Sequence, residues 1–371
     1  MSSLSNRGRS LGGMRQKPLR PRAVAWAVHA AALGAILACL AGCGGSSGTS
    51  STTTPTGTTH SSQTGAPLRA TGAPVVVASG IPFAANLAFD AHGRLWVVSL
   101  AGGPSSSDGV WYVPPGGRPR HVAAGLTTAG LTWVGNSLYV SNLATPGTAQ
   151  VVVLDDFTGS GFRHRRVLLG GLPSGSHPVG SVVQGPGGRI YVGLGSLEDH
   201  SGSPGRVMSF APSGGAPVLA ATGLRTAFGL ASWGRRLLVT DNGADGVSPS
   251  PDELQAFEPG GSVANFGFPK CYGQGGSACA GFRAPLITLA AHSTPEGIAV
   301  KGDVAYIAES GSAVPGKNIG SKIVRVDLRT GRVNVFWRAT NQHDLLGLAI
   351  GPDGNLYATL YTRGQVVRFD L

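Results

Sequence analysis

The chain has 371 residues, 42% hydrophobic and only 13% charged, with 59 glycines, 25 prolines and a formal charge of +11. Six of the positive charges (Arg7, Arg9, Arg15, Lys17, Arg20 and Arg22) fall in the first 42 residues, which hold no acid, leaving +5 for the rest. The remaining basic residues are scattered apart from a short cluster at Arg163–Arg166, which excludes the clustered basic face of a nucleic-acid-binding protein.

The first element in chain order is an address. The basic start is followed by an apolar run from Ala23 to Leu40 and then by Leu40-Ala41-Gly42-Cys43, which looks like a bacterial lipobox. Residues 1–42 are therefore expected to be a lipoprotein signal peptide, with Cys43 lipidated and the protein held on the outer side of the bacterial cell membrane. The alternative is an uncleaved transmembrane anchor. Residues 43–72 are mainly Gly, Ser and Thr with scattered Pro, too poor in apolar residues to build a core, and are expected to be a disordered tether. The Gly-x-Ser-x-Gly match at Gly44–Gly48 lies in this tether, without the strand and helix that a nucleophile elbow needs.

From Ala73 to Leu371 one phrase recurs six times, beginning at Asn86, Ala129, Gly180, Phe228, Glu296 and Leu346. Each copy is a short apolar strand, a Gly-, Asn- or Asp-containing turn, and a second apolar strand, which is the signature of a β-hairpin. Copies at intervals of roughly 45–50 residues predict a six-bladed β-propeller of about four strands per blade. The final VVRFDL is expected to pair with PVVVAS near the start of the domain and close the ring. The longer interval between the fourth and fifth copies is read as a loop holding Asp252, Glu253, Cys271 and Cys279.

The hairpin geometry also predicts a site. Residues just before each first strand and just after each second strand share one face of the disc. Before the strands stand Asn86, His177, Arg225, Glu296, His343 and Asp344, and after them Asn142, Asp241, Asn242, Gly243, Glu309 and Ser310. Most of the distinctive polar chemistry thus collects at one mouth of the central channel, the default place for a binding site. Cys271 and Cys279 lie in a Gly-rich stretch, KCYGQGGSACAG, with no His or further Cys at zinc-ligand spacing. Outside the cytoplasm they are expected to form a disulfide.

The order of features from Gly223 to Gly273 resembles the soluble quinoprotein glucose dehydrogenase and sorbosone dehydrogenase family. These features are GLRTAFGLASWGRRLLVTDNGADG, then PDELQAFEPGGSVANFGFPKCYG. The likeness is strongest from Leu172 to Gly273, and elsewhere consists mainly of blade rhythm. It implies a six-bladed propeller that oxidises sugars with pyrroloquinoline quinone (PQQ) and Ca2+. By that resemblance His177, in GLPSGSHPVGSVVQ, would be the base that takes the sugar hydroxyl proton while hydride passes to the quinone. Arg225, followed by Thr226, would hold the quinone carboxylates, although Thr226-Ala227 replaces the family's Asn-Pro. Gly243 and Ala244 match a Gly-Pro whose carbonyls bind calcium, and Asp252 and Glu253 match an acidic pair that binds calcium or orders the loop. Lys317 and Arg363 are looser matches for further basic cofactor contacts.

The partners implied are a small sugar, an external electron acceptor, since no haem-attachment Cys-x-x-Cys-His is present, and the membrane through the lipid alone. Two other readings stand beside this one. A sugar- or protein-binding propeller would do no redox chemistry. A propeller lactonase would gather acidic ligands, in part Glu296, Asn142 and Asp241, around an axial metal. The dehydrogenase reading requires His177 and Arg225 to face each other across a slot wide enough for a flat tricyclic cofactor.

Overall fold

The computed structural model describes residues 73–101, 107–244, 250–273, 275–312, 317 and 319–371. The expected signal peptide, Cys43 and the tether lie outside these residues. Among the described residues no helix is long and apolar enough to cross a membrane.

All six phrases form antiparallel hairpins. The first and second strands are Ala84–Phe89 with Leu95–Ser99 in blade 1, Thr127–Val134 with Ser137–Thr145 in blade 2, and Val179–Gln184 with Ile190–Leu194 in blade 3. Blades 4, 5 and 6 begin with Ala227–Trp233 and Arg236–Asp241, Pro295–Lys301 and Val304–Glu309, and Leu345–Ile350 and Leu356–Leu360. Two more strands extend each sheet outward, and the blade 3 sheet gains a short parallel fifth, Ala264–Asn265. Second strands such as Leu95–Ser99 and Ile190–Leu194 are buried at every residue. Each lies in a sheet clasped between two neighbouring sheets, so both of its faces meet apolar side chains. That is why these strands read as continuous apolar runs and not as alternation.

The first strands neighbour one another around a closed ring, blade 6 returning to blade 1. The closure expected from the chain ends is present: Val75–Ser79 pairs antiparallel with Gln365–Phe369, Val75 opposite Arg368 and Ser79 opposite Gln365. Blade 6 is thus built from both ends of the domain, and no sheet in the ring is left without two neighbours.

Near the axis the first strands meet backbone to backbone. A Cβ on Gly229 would stand 2.2 Å from the Glu296 carbonyl oxygen and 2.8 Å from Thr240 Oγ1, and one on Gly180 would stand 2.4 Å from the Ala227 carbonyl oxygen. Gly229→Val is therefore expected to lower stability by about 3 kcal/mol or more, because backbone and not a flexible side chain would have to yield. A urea midpoint within error of the wild type would contradict this packing.

The strands correct three readings of the sequence. Asn86 and Glu296 do not precede the first strands but lie within them, as Ala84–Phe89 and Pro295–Lys301 begin earlier than the repeated phrase suggests. Asn86 Nδ2 donates to the Ala129 carbonyl at 3.3 Å and to Ser181 Oγ at 3.2 Å, linking blades 1, 2 and 3. Asp252 and Glu253 do not share a loop with the cysteines. Glu253 opens the third strand of blade 4, Glu253–Phe257, and both acids are buried. The axis at the depth of Ala85 and Ala129 is filled, since Phe228 of blade 4 and Leu346 of blade 6 pack into the same apolar cluster. Apolar side chains thus close the channel at that depth.

Candidate functional site

The loops that lead into the first strands of blades 3 and 4 are stitched together by backbone bonds. His177 N donates to the Ser196 carbonyl at 3.2 Å, and Ser196 N donates to the Arg225 carbonyl at 2.7 Å. Gly195 lies directly beneath His177, where an added Cβ would be 2.3 Å from the His177 Cβ. These contacts fix His177 with its side chain only 15% exposed and its Nε2 at 3.1 Å from Asp199 Oδ1. Arg225 Nη2 donates to the same oxygen, its Nε to the Asp199 carbonyl at 3.3 Å, and its Nη1 to the Gly243 carbonyl at 2.9 Å. The hydrogen bond from His177 and then the charge of Arg225 hold the Asp199 carboxyl well below the usual carboxylate range, against the opposing effect of burial.

A second carboxylate orients the arginine from behind. Asp241 Oδ1, at the end of the second strand of blade 4, accepts from Arg225 N at 3.0 Å and Thr226 N at 2.7 Å. Beyond it, Asp252 accepts from Gly243 N at 2.7 Å, Ser293 Oγ at 2.9 Å and Thr294 N at 2.8 Å, which sets the direction of the Gly243 peptide. Glu253 Oε2 accepts from Gln255 Nε2, and Glu253 also lies against Gly273, where any Cβ would collide with its carboxyl. The Cys271–Cys279 disulfide expected from the sequence is formed and anchors the stretch that places Gly273 there.

Burial pushes the carboxyl of Asp241 up to about 7 and those of Glu253 and Glu296 up to about 8, with the nearby Asp252 adding to all three. For such groups the folded protein keeps a proton that the unfolded chain gives up at the ordinary carboxylate pKa. Their stabilising contribution is full below that pKa and declines as pH rises toward 7–8. The melting temperature is therefore expected to fall by several degrees between pH 5 and pH 8.5, and Glu296→Gln is expected to flatten the slope. Calorimetric scans at both pH values check this; a melting temperature that rises across the interval would contradict it.

The other expected site residues are distributed as follows. Thr226 and Ala244 are buried beside Arg225 and Gly243, whereas Lys317 is exposed. Arg363 forms an ion pair with the fully buried Asp344, Nε to Oδ2 at 2.6 Å. Lys322 is buried and paired with Glu309 at 2.6 Å. His177 and Arg225 do not face each other across an open slot: Asp199 stands between them and takes hydrogen bonds from both. Sequence reasoning missed Asp199 and His200, whose Nε2 is 2.9 Å from Asp199 Oδ2. The signal that finds them is the rule that placed Asp241: both follow the second strand of their blade on the mouth face.

Several buried side-chain oxygens on the mouth side have no protein hydrogen-bond partner, among them Asn142 Oδ1, Thr226 Oγ1 and Asn242 Oδ1. Thr226 and Asn242 stand next in sequence to Arg225 and Gly243, and oxygens of this kind are what a hard cation such as calcium prefers, although the Gly243 carbonyl itself accepts from Arg225 Nη1. By contrast, among the described residues no three His, Cys, Asp or Glu side chains converge as metal ligands.

No protein-family model and no curated protein sequence matches the chain. Solved structures do match. The PQQ-bound aldose sugar dehydrogenase of Streptomyces coelicolor is 20% identical, with a TM-score of 0.63 over 82% of this chain and 99% of that one. A putative glucose dehydrogenase of Thermus thermophilus is 22% identical, with a TM-score of 0.66 over 80% and 99%. The calcium structure of a carbohydrate-active enzyme of Trichoderma reesei is 16% identical, with a TM-score of 0.64 over 80% and 97%. At these identities the likeness establishes the architecture: the chain shares the six-bladed propeller fold of these proteins.

Proposed function

We propose that the mouth between blades 3 and 4 oxidises a sugar hydroxyl with PQQ as the electron acceptor and calcium beside it. The observation that carries this reading is that His177 and Arg225 meet at one mouth beside the Gly243 carbonyl, on the fold that the PQQ-bound aldose sugar dehydrogenase shares; Asp199 fills the slot between them, so uptake of a flat quinone requires the Asp199 side chain to yield. PQQ would supply a two-electron sink and calcium the Lewis acid that polarises it.

The chain's own residues supply the rest. His177 is the base for the sugar hydroxyl, and Asp199 orients its ring through Nε2 and stabilises its charged form. Arg225 offers its guanidinium to a carboxylate; Asp199 already shows that mode of contact. Gly243 and Ala244 would offer carbonyls to the calcium once the Gly243 oxygen is released from Arg225, with Asp252 holding the Gly243 peptide and Glu253 bracing the disulfide-bonded stretch. Lys317, exposed, and Arg363, paired with Asp344, would be the outer basic contacts to cofactor carboxylates. The enzyme is tethered outside the cytoplasm through Cys43 and hands its electrons to an external acceptor.

The test is reconstitution with PQQ and calcium, followed by dye reduction with a panel of aldoses. The expected result is turnover that falls by about 10²–10⁴ in kcat in His177→Ala. A folded, quinone-loaded protein that reduces no dye with any aldose, or a His177→Ala variant with undiminished kcat, contradicts it. One observation favours the non-redox binding propeller as the second reading: all three guanidinium nitrogens of Arg225 already donate to protein atoms. That propeller would bind sugar without taking up PQQ.

A further inference from the structure

One carboxylate serves two histidines. Asp199 presents Oδ1 to His177 Nε2 at 3.1 Å and Oδ2 to His200 Nε2 at 2.9 Å. The two rings sit in different surroundings: the His177 side chain is 15% exposed, that of His200 51%. Arg225, permanently charged, already neutralises Asp199 from a third direction. The group therefore has one negative charge facing one fixed positive charge and two titratable ones. With both rings protonated, three cations would share a single carboxylate.

The geometry points to His200 as a positioning residue that sets the proton affinity of His177 through the carboxylate the two rings share. When His200 is neutral it fixes the second carboxylate oxygen and leaves Asp199 available to stabilise a proton on His177. When His200 is charged it competes for that carboxylate and repels a proton on His177. No redox step is involved; each event is the gain or loss of one proton by an imidazole, exchanged with water at the exposed ring. The inference deepens the dehydrogenase reading, on which it rests, by naming what sets the pH at which its base works.

Among the described residues, the following charged and titratable groups stand around the pair. From the loop after the second strand of blade 3 come Asp199 itself and the nearby Glu198, whose Oε2 accepts from Ser201 Oγ. From the loop into blade 4 comes Arg225, backed by Asp241 through its backbone N–H. Beneath His177 lie Gly195 and Ser196, which bring no charge.

The experiment is an NMR titration of the imidazole resonances in the full chain, without cofactor, in wild type, His200→Gln, His200→Arg and Asp199→Asn. In His200→Gln the His177 midpoint is expected to rise by about 0.5–1 pH unit, because a nearby positive charge is lost. In His200→Arg, where the charge is permanent, it is expected to fall below the wild-type value. In Asp199→Asn the dependence of each ring on the other is expected to be weakened. A His177 midpoint that is the same in wild type, His200→Gln and His200→Arg overturns the inference. Because the readout needs neither PQQ nor substrate, that failure is distinct from a failure of the dehydrogenase reading. In the loaded enzyme the acidic limb of kcat/KM should shift with the His177 midpoint, which a merely structural His200 would not produce.

Discussion

Arg225→Ala is expected to abolish quinone-dependent activity and to lower stability by about 2–3 kcal/mol, less than for a fully buried pair because the Asp199 side chain is 44% exposed to water. The Arg225 side chain is buried and holds Asp199 of the blade 3 loop by two bonds and the Gly243 carbonyl by a third, while the backbone N–H of Arg225 donates to the carboxylate of Asp241. Truncation leaves Asp199 without its permanent counter-charge and the Gly243 carbonyl without a donor. His177 then holds Asp199 without that competition, and its proton affinity should rise. Arg225→Lys separates the two consequences. It keeps the charge but loses the planar fork, so it should recover most of the stability and little of the activity. Chemical denaturation and dye reduction on the same preparations check both parts. An alanine variant with wild-type turnover would remove Arg225 from the site.

The largest effect away from the mouth is expected at Trp96. It is fully buried in the second strand of blade 1, its indole N–H donates to Asp90 Oδ2 at 2.9 Å, and its ring contacts Trp133 and Phe157 of blade 2 at centroid distances of 4.9 Å and 4.7 Å. Trp96→Ala opens a cavity at the seam between two blades and removes one donor from Asp90. The expected loss is about 3–5 kcal/mol. Trp96→Phe keeps most of the apolar packing and should lose about 1–2 kcal/mol, mainly for the missing hydrogen bond. Equal losses in the two variants would show that the hydrogen bond, and not the aromatic seam, carries the stability.

How far these features are legible in the sequence follows from their physics. The six hairpins are visible because a strand clasped between two sheets must be apolar on both sides, and a tight turn must hold Gly, Asn or Asp, so each blade repeats the same phrase. Ring closure is visible because Val75–Ser79 and Gln365–Phe369 are two strands left over at opposite ends. The mouth is visible as a rule of hairpin direction, and that rule gathers His177, Arg225, Asp241 and Gly243.

Other features have no periodic signature. Asp199 sits in a polar Ser- and Gly-containing loop where an acid normally marks solvent, and only the fold shows that it stands between His177 and Arg225. Asp252 and Glu253 read as loop residues because acids at a strand start are rare. The burial of Asp252 is offset by donors that come from Ser293 and Thr294, far along the chain. Lys322 does not stand out because nothing local distinguishes a buried, paired lysine from an exposed one.

The central claim is that this mouth takes up PQQ, and calorimetric titration of PQQ into the purified protein, with and without calcium, tests it most directly. The account predicts one site per chain, tighter with calcium and strongly weakened in Arg225→Ala. A folded wild-type protein that releases no heat with PQQ, or one whose binding is unchanged in Arg225→Ala, would contradict it.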